Sequence, residues 1–90
     1  MKVAMISVTL DAVIPMMREL RQLPSLKVTN YLDEGLRELV RKEGGVTFNS
    51  IARMTGIMGH ALYDGADAVL LTCTVFTPYL EKLQNLFSVP

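Results

Sequence analysis

The sequence predicts an α/β domain, a three-layer sandwich in which helices cover both faces of a parallel sheet of strand order 2-1-3, with a fourth strand outside the third. Three observations predict it. Val3 to Val8 and Ala66 to Thr72 are near-continuous apolar runs, as strands covered on both faces require. The segments between them carry apolar residues at spacings of three and four, the pattern of helices with one buried side. Glycine, proline and capping residues fall at the joints. Strands that alternate with helices join through right-handed crossovers, which places the first strand centrally.

The elements run in order along the chain. After the first strand, Asp11 is expected to cap a helix that runs to about Gln22, with Pro15 in its first turn and Val13, Met16, Met17 and Leu20 inward. Pro24 and Ser25 break it. Leu26 to Leu32 alternates polar and apolar residues, which suits a strand nearer the sheet edge. Asp33 caps a short helix with Leu36, Leu39 and Val40 inward, and Gly44-Gly45 stops it. Thr47 caps a longer helix from about Phe48 to Tyr63, with Ile51, Met54, Met58 and Leu62 toward the sheet, and Gly65 ends it. After the third strand, Thr77-Pro78 reads as an N-cap followed by Pro at the first helical position, with Leu80, Leu83 and Leu86 inward. Ser88-Val89-Pro90 reads as the opening of a fourth strand.

Ninety residues make one domain, residues 1–90, and an apolar fraction of 50% is ample for a core. Nine basic and nine acidic residues cancel, with no basic stripe, so neither nucleic acid nor an anionic membrane surface is an expected partner. No apolar run approaches the ~20 residues of a membrane span, and the short apolar start reads as a strand rather than a signal peptide. A lone cysteine forms no internal disulfide, so the reducing cytoplasm is the expected compartment. No glycine-rich phosphate loop comes after the first strand, and no Cys/His cluster has metal-ligand spacing. Neither a nucleotide cofactor nor a metal is expected.

Ligands of such sheets bind at the carboxyl ends of the strands. That edge is built by Thr9 to Asp11, Asn30 to Asp33 and Cys73 to Thr77. Cys73 stands at a strand end just before a helix, where amides and the helix dipole stabilise a thiolate and hold an anion. The hydroxyls of Thr72, Thr74 and Thr77 can donate to a carboxylate. The plainer reading of Cys73 is a buried structural cysteine, since free cysteine is among the most buried residue types. His60, the only histidine, reads as a surface or supporting residue, and the six methionines as core fillers. Asp33 reads as a cap rather than half of a catalytic pair, and Arg53 as solvated or salt-bridged.

The segment Gly65-Ala66-Asp67-Ala68-Val69-Leu70-Leu71-Thr72-Cys73-Thr74 resembles the cysteine-bearing strand of the aspartate/glutamate/hydantoin racemase superfamily. Ser7-Val8-Thr9, Tyr31-Leu32-Asp33 and Thr47 to Arg53 are similar to further parts of that family's first half. The resemblance implies a cofactor-independent isomerase of two similar halves, with one cysteine from each half on opposite faces of a small carboxylate substrate. It implies that Cys73 is the acid/base, that Thr74 contacts the substrate carboxylate, and that Thr9 lies near the substrate. The chain has one cysteine, not two. A fragment or truncated product whose second half is missing, inactive alone unless it self-associates, is the expected explanation. The alternatives are self-pairing that brings two Cys73 residues together, and a one-cysteine relative such as a decarboxylase or cis–trans isomerase. A non-catalytic module that self-associates or binds a small anion is the rival reading. A homo-oligomer is expected unless further chain covers the open sheet flank.

Overall fold

The computed structural model describes residues 1–72 and 74–87. The elements are β1 (Lys2–Ser7), α1 (Leu10–Leu20), β2 (Lys27–Leu32), α2 (Glu34–Lys42), α3 (Phe48–Tyr63), β3 (Ala68–Leu71), a 3₁₀ segment (Thr74–Tyr79) and α4 (Leu80–Phe87). The strands form one parallel sheet of order β2-β1-β3, as the alternation of elements predicts. The expected fourth strand, Ser88 to Pro90, lies outside the described residues. Among the described residues, no helix is long and apolar enough to cross a membrane.

Local chemistry sets most boundaries. Asp33 is the N-cap of α2 and accepts from the Leu36 amide. Thr47 and Ser50 form a reciprocal capping box that opens α3. Both helices end in the same hydrogen-bond pattern. Gly45 N–H donates to Val40 and Gly44 N–H to Arg41, then Ala66 N–H donates to Ala61 and Gly65 N–H to Leu62. The reversal needs a left-handed residue, supplied by Gly44 at φ 73° and Gly65 at φ 94°.

Three expectations need correction. The cap position of α1 is Thr9, not Asp11, and its side chain makes no capping bond. Asp11 lies in the first turn, and Pro15 lies inside the helix beyond it. The register moves because β1 ends at Ser7, and two residues suffice to turn the chain. Pro78 does not open an α-helix; it lies inside the 3₁₀ segment that precedes α4. A 3₁₀ turn takes about 3.0 residues rather than 3.6, so it rotates the side chains of α4 about the helix axis. Phe76 and Leu83 point inward, while Leu80 and Leu86 are exposed. Finally, β3 is half-buried along its length instead of buried on both faces. Among the described residues only β1 pairs with it, which leaves its other edge open.

The sheet divides the interior. Ile6 and Val8 belong to the main core with Leu36, Met54, Met58, Phe76 and Leu83. Val3, Met5 and Ser7 alternate to the opposite face and are also buried. Right-handed crossovers place α1 on that second face, against β2 and β1, with α2 and α3 on the first. No residue of α1 is fully buried.

Candidate functional site

The carboxyl edge of the sheet carries a polar row across all three strands. Ser7, at the end of β1, is fully buried. The Thr72 hydroxyl donates to Ser7 Oγ at 3.0 Å, and Ser7 Oγ donates to Asn30 Oδ1 at 3.5 Å. The Thr72 amide still donates to Ile6 O at 3.1 Å, so Thr72 continues the ladder one residue beyond β3. A buried hydroxyl without partners is costly, and this row satisfies each member. It also fixes the side-chain rotamer of Thr72 immediately before residue 73. The proposed catalytic Cys73 itself lies outside the described residues.

Beside this edge, a cavity of about 240 Å³ opens between α2 and the 3₁₀ segment. Val8, Leu36 and Val40 form one side, and Val75 and Phe76 the other. The walls are almost wholly apolar. Arg37 and Arg41, one helical turn apart on α2, complete the lining. The single salt bridge among the described residues is Arg53–Asp33; Glu34 and Glu38 stand three residues before Arg37 and Arg41 on α2 without bridging them. The local sequence explains the arrangement. Leu36 and Val40 form the inward stripe of α2, and Arg37 and Arg41 come one residue after each, which places them on the flank of that stripe.

The other expected contacts are distributed differently. Thr9 lines a separate recess with Asp11, Glu34 and Glu38, whose carboxylates oppose a bound acid. Val8 and Arg37 border both spaces. Thr77 is exposed within the 3₁₀ segment and does not line the cavity. Thr74 belongs to the same segment. The structure therefore brings Thr72 into the polar row and leaves Thr9 and Thr77 apart from it.

A third, more open groove holds Tyr31, Asp33, His60 and Asp64. Tyr31, Asp33 and Asp64 are already engaged. Arg53 donates twice to Asp33, through Nε and Nη2, each at 2.7 Å. The Arg53 guanidinium therefore holds the Asp33 carboxyl below its ordinary range. Tyr31 donates to Asp64, and that bond pushes the phenol upward. His60 is exposed. The sequence reading of Asp33 as a cap holds, with a salt bridge to Arg53 in addition. Among the described residues, no group of three His, Cys, Asp or Glu side chains could hold a metal ion.

Sequence reasoning missed the Ser7–Asn30–Thr72 row and the arginine-flanked cavity. The available signals were a single hydroxyl closing an otherwise apolar strand and two arginines each beside an inward apolar residue. In comparisons with family models, with curated proteins and with solved structures, nothing matches this chain.

Proposed function

We propose that this chain is a racemase-like isomerase domain that transfers the α-proton of a small carboxylate substrate through Cys73, without a cofactor. The observation that supports it is the hydrogen-bonded Thr72–Ser7 pair at the carboxyl edge of a parallel sheet, which fixes the residue immediately before Cys73. The Cys73 thiolate takes the α-proton, so an S–H bond forms as the Cα–H bond breaks. The electron pair passes to the substrate carboxylate, and backbone amides of the segment after Cys73, with the Thr74 hydroxyl, are the groups proposed to stabilise the added charge. A proton returned to the same face gives exchange; one returned to the opposite face gives inversion. The chain has a single cysteine, so inversion takes its second acid from another domain or from a second copy. We place a homo-oligomer within the proposal, because β3 offers an unpaired edge among the described residues and α1 exposes Leu10 and Ile14. A reducing cytoplasm keeps the thiol free.

The test is α-proton exchange in deuterated water, monitored by NMR over a panel of amino acids. The expected outcome is exchange by the native chain and none by Cys73→Ser at unchanged secondary structure. Unchanged exchange by Cys73→Ser removes the cysteine from the mechanism. A second reading, a module that binds a small anion without turnover, is favoured by the cavity, which requires no thiol. Its outcome is ligand binding by native and Cys73→Ser chains alike, with no exchange by either.

A further inference from the structure

The geometry points to a substrate class: the cavity between α2 and the 3₁₀ segment takes a monocarboxylate with an apolar body, such as an amino acid with an aromatic or branched aliphatic side chain. This inference rests on the carboxylate reading above and narrows it.

Size is the first argument. Sites for drug-sized ligands run to roughly 300–1,000 Å³. At about 240 Å³ this cavity suits one ring or one branched chain. Wall chemistry is the second. Val8, Leu36, Val40 and Phe76 offer no partner for a buried polar group, so the second carboxylate of aspartate or glutamate would be desolvated there without compensation. Charge is the third. Arg37 and Arg41 are four residues apart, a spacing at which like charges destabilise a helix. Among the described residues neither is held in a salt bridge, although Glu34 and Glu38 stand three residues before them and offset part of that repulsion. Arg37 and Arg41 are exposed and give the wall little but their alkyl stems, so their guanidinium groups suit a ligand whose acid group stays outside the apolar space while its body enters. Val75 and Phe76 lie two and three residues after Cys73, so the cavity and the proposed acid/base share one segment of chain.

The experiment is an amide NMR titration of the full chain with phenylacetate, 4-methylpentanoate, succinate and phenylacetamide. The first two are expected to shift Val8, Val40 and Phe76 saturably. Succinate and phenylacetamide are expected to bind about tenfold more weakly or worse, and Arg37→Gln with Arg41→Gln to weaken phenylacetate by a similar factor. The double variant must retain the native thermal transition, and Val40→Phe, which fills the cavity, must block both ligands. Equal binding of succinate, no effect of the double arginine variant, or shifts confined to other residues would each overturn the assignment. Cys73→Ser separates the two proposals. Binding of phenylacetate without exchange by any variant rejects the isomerase and keeps the cavity. Exchange on aspartate without phenylacetate binding does the reverse.

Discussion

Met54 and Met58, on the face covered by α2 and α3, are buried, whereas Met16 and Met17, on α1, are only half-buried. All four sit at inward positions of amphipathic helices. The difference lies in how many elements meet over each. On the first face α2, α3, the 3₁₀ segment and α4 converge, so Ile6, Leu36, Phe76 and Leu83 enclose the methionines from several directions. On the second face α1 packs chiefly against β2 and β1. Leu10 and Ile14 remain 54% and 57% exposed. A helical stripe states which side is apolar; the neighbours decide how much of it leaves water.

Substitution makes that contrast measurable. Met54→Ala is expected to cost about 2–5 kcal/mol, because a cavity opens in an enclosed site. Met17→Ala is expected to cost about 1 kcal/mol, since part of its surface already meets solvent. Chemical denaturation of both variants checks this, and equal losses would remove the distinction between the faces.

Asp33→Ala comes next, at about 1–2 kcal/mol near neutral pH, chiefly from the lost cap of α2. The exposed pairing with Arg53 adds little. Asp33 is depressed in the folded state by Arg53, so its contribution is present above the ordinary carboxylate range and is lost as pH falls through the lowered value. The gap between native and Asp33→Ala is therefore expected to close on acidification. A gap independent of pH would mean that the cap and ion pair do not titrate.

Ser7→Ala on the α1 side is expected to cost about 1 kcal/mol, by removing the acceptor of Thr72. Ile6 O, at 3.4 Å, is the fallback partner. Methyl NMR of Thr72 checks the predicted change of rotamer. The smallest effect is Tyr31→Phe, a few tenths of a kcal/mol near neutrality for a solvent-exposed hydrogen bond. Because Asp64 raises the Tyr31 phenol, this bond stabilises below the ordinary tyrosine range and is lost as pH rises through the raised value. Stability curves of native and Tyr31→Phe should therefore converge at high pH.

Much of the fold was legible because its signals act over three or four residues. Asp33 and Thr47 cap wherever orphan amides come next, and Gly44 and Gly65 reverse the chain with no Cβ to clash. The misread places are those where a local rule permits two outcomes. Thr77-Pro78 fits an α-helix start and the end of a 3₁₀ turn equally well, and packing of Phe76 selects the second. Asp11 and Thr9 can both precede a helix, and the end of β1 selects Thr9. The candidate site was legible as a sheet edge but not as a cavity. Arg37 and Arg41 meet Val75 and Phe76 across more than thirty residues of chain.

By itself the sequence determined which segments are strands and helices, where most of them stop, and that β1 is central, since periodicity, caps and crossover handedness are local or topological properties. Only the tertiary structure decided that α1 stays half-covered, that Ser7, Asn30 and Thr72 join in one row, and that two arginines flank an apolar hollow. Those outcomes depend on how many surfaces meet at a point, and no spacing along a single segment encodes that number.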